Sequence, residues 1–223
     1  MREQDFWQLI RRARRMARRH AVARDELRRR WRLTDSRETV IQLGRLLEEL
    51  PLSRVVNFHR QLDRVHRRAH RWQLWTAIGL TRGGADNAEF HHATCWLILR
   101  GRRAFARTLR RPDSLAGLTL DEDDILDAGG ISLLAREILE PVIAEEDDQI
   151  RRVLEQTLTD LLPPIGDPGP PTGDRIPEDL ATLRARYPRL CARHLGNGPV
   201  PTLVITPRAW QRGDPPGAGQ VRR

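Results

Sequence analysis

Residues 72–116 read WQLWTAIGLTRGGADNAEFHHATCWLILRGRRAFARTLRRPDSLA, and this stretch contains half of the tryptophan and half of the phenylalanine residues of the chain. Tryptophan and phenylalanine recur through it, separated by Gly83-Gly84, Gly101 and Pro112. Large aromatic side chains are costly to leave in water, so most of them are expected in one hydrophobic core. The glycines and the proline mark the turns between the elements that carry these aromatics.

On both sides of residues 72–116, apolar residues recur at spacings of three and four, which predicts helices and an all-α fold. We expect a single compact domain over residues 1–196 and a disordered Pro/Gly-rich tail over 197–223. Basic helices cover residues 3–111, acidic helices 121–161, a Pro/Gly loop 163–174, and a final helix 177–195. A short extended segment is expected at residues 202–206.

Helix boundaries follow from local start and stop signals. The first helix covers residues 3–31, and Asp35 with Glu38 predicts a capping box at the start of the second. A third helix is expected to run unbroken from Ser53 to the Gly83-Gly84 pair, which tolerates the left-handed conformation that ends helices. Asp86 with Glu89 predicts the next start, and Pro141 is expected to open a later helix.

Composition excludes several activities. All 39 basic residues are Arg, so a Schiff-base lysine or a P-loop lysine cannot exist in this chain. The sequence also lacks the G-x-S-x-G, Cys-His-Asn and G-x-G-x-x-G motifs. Only Cys95 and Cys191 are present, far apart, and no stretch approaches the ~20 apolar residues of a membrane span. We therefore expect a cytoplasmic protein with no disulfide framework and no membrane association.

Charge is divided unevenly along the chain. Residues 1–111 contain 27 Arg against 11 Asp and Glu, whereas residues 112–160 contain 3 Arg against 14 Asp and Glu. Two explanations stay open: the two parts pack together and neutralise each other, or each part faces a different partner. We favour the first, because a compact domain brings the two parts close in any case.

The aromatic and turn markers are similar to a known pattern. Together with Phe6-Trp7-Gln8-Leu9-Ile10 and Tyr187-Pro188-Arg189-Leu190, they resemble the bacterial family catalogued as domain of unknown function 4240. The resemblance covers roughly residues 5–196. It implies a domain type without implying an activity, because the family has no established biochemistry.

The chain is a divergent member of the pattern that it resembles. The resemblance implies Asp and Asn where this chain has Gln73 and Arg82, and a Cys-Ser-Asp-Asp-like run where it has residues 85–88. It also implies an aromatic residue and an Arg in place of Ala93 and Thr94. Either a function of the polar residues has been lost or altered here, or structural hydrogen bonds have been exchanged for others.

Four residues raise the question of a metal site. His66 and His70 are four residues apart on the third predicted helix, and His91 and Cys95 are four apart on the fourth. Imidazole and thiolate groups from two neighbouring antiparallel helices could form a tetrahedral zinc site. Because such pairs arise easily by chance and His66 lies beside the apolar stripe, we expect surface or half-buried histidines, with no metal and no cofactor.

Two charged segments suggest other ligands. An Arg-dense first helix could bind nucleic acid through phosphate contacts, and its candidate residues are Arg11, Arg14, Arg15, Arg18 and Arg19. Arg surrounds this helix on most sides, however, so a solvated helix paired with the acidic segments is the simpler interpretation. The acidic run at 121–127 lacks calcium-loop spacing and is typical of a helix start.

The absence of a catalytic set favours a non-catalytic interaction, accessory or regulatory factor with an unknown protein partner. Nucleic-acid binding is the first alternative. The second is an accessory enzyme of a biosynthetic cluster with a pocket near the Gly83-Gly84 turn. The candidate pocket residues are Trp72, Gln73, Trp75, Arg82, Thr94 and Trp96.

Overall fold

The computed structural model describes residues 1–23, 33–166, 169–176, 179–195 and 204–206, and it confirms the predicted all-α fold. In chain order the helices are α1 (Glu3–Ala23), α2 (Asp35–Glu48), α3 (Leu52–Ala69), α4 (Trp72–Arg82), α5 (Asn87–Leu99), α6 (Arg102–Arg110), α7 (Glu122–Ala128), α8 (Leu134–Ala144), α9 (Asp148–Leu161), α10 (Leu180–Arg186) and α11 (Pro188–His194). Two 3-10 helices cover Pro112–Gly117 and Gly129–Ser132. The strands β1 (Gly84–Asp86) and β2 (Val204–Thr206) pair in parallel.

The described residues fall into two compact units. Unit 1 lies within Met1–Arg68, His91–Arg107 and Thr119–Gly166. Unit 2 lies within Ala69–Phe90, Thr108–Leu118 and Asp167–Arg223.

In unit 1, the aromatic side chains form the first part of the core. Phe6 of α1 is completely buried and packs against Phe58 of α3, with ring centroids 5.2 Å apart. Trp7 packs against Phe105 of α6 at 5.5 Å. Burying such aromatic side chains contributes a large share of a core's hydrophobic stabilisation. The contact between Trp7 and Phe105 therefore joins the start of the chain to the aromatic stretch of residues 72–116.

A second apolar cluster of unit 1 joins α3 to the helical hairpin formed by α8 and α9. Its buried members are Val55, Ala135, Leu139, Leu158 and Leu162. Pro141 lies inside α8, so the expectation that it opens the next helix was wrong. The next helix is α9, and Asp147 caps it by accepting a hydrogen bond from the Gln149 amide at 2.9 Å.

Unit 2 is organised around a stacked aromatic pair. The rings of Trp75 and Phe90 lie 4.1 Å apart and are nearly parallel, at 3°. The Tyr187 hydroxyl donates to the Gln73 carbonyl at 2.9 Å and ties the last helices to α4. Gly83 ends α4 in the left-handed conformation, with φ of 78°, as the sequence predicts.

The helix expected to run unbroken from Ser53 to Gly83 is interrupted between α3 and α4. The Trp72 amide donates to the Thr172 carbonyl at 3.1 Å, and the Thr172 amide donates to the His70 carbonyl at 2.9 Å. Arg71 between them is extended, with φ of −132° and ψ of 142°. The Pro/Gly loop therefore replaces the helical hydrogen bonds at this point.

The tail expected beyond residue 196 lies outside the described residues, apart from Val204–Thr206. These three residues form β2, which agrees with the extended segment expected at 202–206, and its partner β1 was not predicted. The part of the first predicted helix after Ala23 also lies outside the described residues. Among the helices that the structure describes, none combines the length and apolar character needed to cross a bilayer.

Candidate functional site

Three of the four candidate metal ligands converge in unit 1. His66 lies near the end of α3, and His91 and Cys95 lie one turn apart on α5. The Cys95 Sγ and His91 Nε2 atoms are 3.6 Å apart, and the His66 and His91 ring centroids are 5.1 Å apart. One ligand atom from each of the three residues lies within 4.8 Å of the other two.

The surroundings of this cluster are close-packed. His66 and Cys95 are buried, and His91 is half-buried. The Ser132 hydroxyl donates to the Gly129 carbonyl at 2.7 Å, and its oxygen lies 3.2 Å from His91 Nε2. A Cβ atom added at Gly166 would lie 2.8 Å from His91 Nδ1, so the backbone there covers the imidazole closely.

Burial sets the protonation states in the cluster. Burial, and to a smaller extent the neighbouring His92, lower the pKa of His91 to about 4. Burial also raises the pKa of the Cys95 thiol. Without a bound cation, the site therefore presents a neutral imidazole and a protonated thiol at neutral pH.

His70, the fourth candidate, does not join the cluster. Because α3 ends at Ala69, the four-residue spacing from His66 no longer places both rings on one helix face. The His70 Nε2 atom lies 2.8 Å from the Gly169 carbonyl oxygen, and its Nδ1 accepts from the Trp75 indole at 3.3 Å. His70 is a buried histidine of the unit 2 core.

The residues proposed for a pocket near the Gly83-Gly84 turn are mostly interior. Four of the six are buried, namely Trp72, Trp75, Thr94 and Trp96. Arg82 and Gln73 are partly buried, and the Arg82 Nε atom lies 3.6 Å from a carboxylate oxygen of Glu89. None of the six lines either of the two cavities described below. The enzyme alternative at this turn stays a prediction.

Two of the candidate arginines of α1 line an open groove of about 610 Å³ in unit 1. The lining residues are Gln4, Trp7, Gln8, Arg11, Arg14, Arg100, Gly101, Arg102 and Arg103. Burial, and then the nearby Arg18 and Arg100, lower the pKa of Arg14. Sequence reasoning did not assign the last four residues to a groove, because they are distant from α1 in the chain and meet it only in the folded protein.

The other candidate arginines lie outside this groove. Arg18 lines a separate cavity of about 30 Å³. Arg15 and Arg19 are exposed and line neither cavity. The structure therefore divides the Arg-rich helix into residues that line the basic groove and residues that do not.

The acidic run of α7 has structural roles. Asp121 caps the helix by accepting from the Asp124 amide at 2.9 Å, and Asp127 accepts from the Thr34 hydroxyl at 2.7 Å. Asp124 is buried and accepts from the Trp96 indole at 2.7 Å and from the Ser36 amide at 2.7 Å. Asp124 and Asp127 thus satisfy donors of the basic segment, whereas Asp121 satisfies an amide of its own helix. Among the described residues, these carboxylates form no cluster of the kind that holds a metal ion.

The fold and these sites define a helical protein with a basic groove and a buried His-His-Cys cluster. The chain belongs to the DUF4240 family of proteins of unknown function, whose family model matches residues 1–140 of 223. This match includes the cluster residues and ends before the Tyr187-Pro188 pair to which we expected the resemblance to extend. No curated protein and no solved structure matches the chain.

Proposed function

We propose that the protein is a non-catalytic interaction factor that binds a partner protein through the tip of the α8–α9 hairpin. The hairpin tip is defined as residues 141–153. The observation that carries the proposal is the exposure of three large apolar side chains at this tip: Val142 is 44%, Ile150 50% and Val153 64% exposed. Apolar side chains that cluster on a surface are typical of protein-binding sites.

The exposure follows from the geometry of the hairpin. Ile150, Leu154, Leu158 and Leu161 recur along one face of α9, and Leu158 near the far end is buried in the cluster with Val55. Only residues 145–147 separate α8 from α9, so the end of α8 and the start of α9 lie at the same end of the hairpin. The part of the apolar face near the connection is therefore left uncovered.

The charge of the tip indicates the chemistry of the partner. Four consecutive acidic residues, Glu145, Glu146, Asp147 and Asp148, adjoin the exposed apolar side chains. A basic amphipathic segment fits both features, because its apolar face covers Ile150 and Val153 while its cations meet the carboxylates of Glu145 and Glu146. Asp147 and Asp148 already accept from the Gln149 amide and the Arg151 guanidinium within the hairpin. We place this interaction in the cytoplasm, since Cys95 and Cys191 are both free thiols.

The experiment uses the double substitution Ile150→Ser with Val153→Ser. A photo-crosslinking residue at position 142 identifies the partner in cells, and binding of the purified partner is then measured with the natural chain and the variant. We expect about 10- to 100-fold weaker binding by the variant, because two apolar side chains leave the interface. Its thermal unfolding should match that of the natural chain, since both side chains are exposed.

The matched control is Ile41→Ser, which removes an apolar side chain that is 39% exposed on α2. Equal binding by the tip variant and the natural chain would exclude this surface. A partner that loses affinity with Ile41→Ser and keeps it with the tip variant would also exclude it.

A second candidate function is electrostatic binding of nucleic acid, which the basic groove favours. Five arginines line this groove, and cations arranged along a groove can follow a phosphate backbone without reading its sequence. Such binding predicts an affinity for single-stranded and duplex oligonucleotides that falls steeply between about 50 and 200 mM salt.

Two charge-matched variants test the groove. Arg11→Glu with Arg103→Glu changes two exposed lining residues, whereas Arg15→Glu with Arg19→Glu changes two exposed residues of α1 that do not line it. Fluorescence anisotropy should show weaker binding by the first variant, and the magnitude of the slope of log affinity against log salt should fall by about 2. Equal losses in the two variants, or no binding by the natural chain at low salt, would contradict a groove-specific role.

A further inference from the structure

We propose that His66, His91 and Cys95 bind one divalent transition-metal ion of the zinc class in the interior of unit 1. The proposed metal site consists of these three side chains, and it is independent of the hairpin tip and of the basic groove. The proposal contradicts the expectation from the sequence that the protein binds no metal.

The distances fit a single ion. Two ligands at about 2.3 Å (sulfur) and 2.0–2.1 Å (nitrogen) from a tetrahedral ion lie roughly 3.5 Å from each other. The observed separation of Cys95 Sγ and His91 Nε2 is 3.6 Å. Because all three ligand atoms already lie within 4.8 Å of one another, small side-chain rotations complete the triangle.

The donor set selects the class of cation. A thiolate and imidazoles favour zinc and its neighbours in the first transition row, whereas magnesium and calcium prefer oxygen ligands. Three protein ligands leave one tetrahedral position, which a water molecule would take. When the cation binds, the Cys95 S–H bond breaks, the proton goes to solvent, and the sulfur pair forms the bond to the metal.

The surrounding backbone holds the imidazole of His91 in position. Gly166 has a φ of 105°, and a Cβ atom there would lie 2.8 Å from His91 Nδ1 and 3.7 Å from His66 Cε1. The glycine therefore permits close approach of the chain to both rings. His91 Nδ1 is buried and has no hydrogen-bond partner within the part of the chain that the structure describes. The ring therefore has one nitrogen beside Ser132 and Cys95, and a second nitrogen whose hydrogen-bonding capacity the described residues leave unused.

Titration of the chelator-treated full-length chain with Co²⁺, a spectroscopic substitute for zinc, tests the site. We expect one Co²⁺ per chain and a thiolate-to-cobalt charge-transfer band in the near ultraviolet. Cys95→Ser should abolish the band. His66→Gln or His91→Gln should weaken metal binding at least about 100-fold, which is more than the loss of a residue that only contacts a ligand would cause. Zinc should raise the melting temperature of the natural chain and leave that of Cys95→Ser unchanged.

Three matched controls accompany these variants. His70→Gln and Cys191→Ser remove a buried histidine and a buried cysteine that lie outside the cluster, and both should bind like the natural chain. Gly166→Ala should weaken binding by displacing His91. Gly169→Ala carries similar backbone strain, with φ of 80°, but a Cβ there meets nothing within 4 Å, so metal binding should persist.

A negative result with the natural chain overturns the inference, whatever the variants show. Failure to bind Co²⁺ and Zn²⁺ excludes the site. So does a charge-transfer band that survives Cys95→Ser, a band that disappears in Cys191→Ser, or natural affinity in both His66→Gln and His91→Gln. Circular dichroism of the metal-free variants separates lost ligands from lost folding.

Discussion

Asp124 connects the acidic segment of unit 1 to the basic one. Its two oxygens accept from the Ser36 amide, the Trp96 indole and the Arg100 guanidinium, which also lies over the Trp96 ring at 4.6 Å. A buried carboxylate is tolerated only when such donors replace its hydration. Its side chain therefore stabilises the start of α2, the last turn of α5 and the start of α7 together.

Replacing Asp124 by Asn should destabilise the protein by about 2–3 kcal/mol. An amide has one acceptor oxygen, so at least one of the three donors faces an NH₂ group, and Arg100 loses its counter-charge. Urea unfolding measures the change. Asp123→Asn is the matched control, because it removes the same charge from the first turn of the same helix at an exposed position. Its cost should stay below about 1 kcal/mol, and equal costs would show that the buried contacts contribute little.

At the scale of elements, start and stop signals were predictable where they depend on neighbours in sequence. Asp86 and Glu89 form the predicted capping box, since the Asp86 amide donates to Glu89 at 3.0 Å and the Glu89 amide donates to Asp86 at 2.8 Å. The cap of α2 lies one residue before the expected Asp35, and residue 37, which would have to complete a box with it, is Arg. Thr34 is the cap, and its hydroxyl accepts from the Arg37 amide at 3.0 Å.

Elements that depend on distant partners were not predictable from local pattern. The break after Ala69 exists because Thr172 pairs with the backbone on either side of Arg71. The strand β1 exists because β2 supplies its hydrogen bonds. Apolar spacing describes which side of a helix is buried, but it carries no information about which loop will compete for its backbone.

The same limit applies to the candidate metal site. The spacing of His91 and Cys95 on one helix was visible in the sequence, and the helix keeps it. Which histidine of α3 joins them depends on where that helix ends, and the end at Ala69 selects His66 over His70. Ser132 and Gly166 come from distant segments and carry no local signal of their position beside His91.

At the scale of the whole molecule, the chain is strongly basic, with a net charge of +9 when its histidines are neutral. Each proton that it takes up adds to this positive charge.

Burial lowers the pKa of His59. The hydrogen bond to the Pro163 carbonyl and the nearby Asp63 act in the opposite direction, and Arg136 lowers the pKa further. The unfolded chain takes up this proton near pH 6.5 and the folded protein only at lower pH. The unfolded state therefore binds more protons below about pH 6.5, and stability falls as the pH decreases.

Replacing His59 by Gln should reduce this loss of stability between about pH 6.5 and pH 5, the range in which an unfolded histidine takes up its proton. The Gln amide can still donate to the Pro163 carbonyl, which His59 Nε2 contacts at 2.9 Å, so the hydrogen bond is kept while the titrating group is removed. Urea unfolding at several pH values, with a chelator present to keep metals away from His91, measures the dependence. The same slope in His59→Gln and the natural chain would show that His59 is not the source of acid sensitivity.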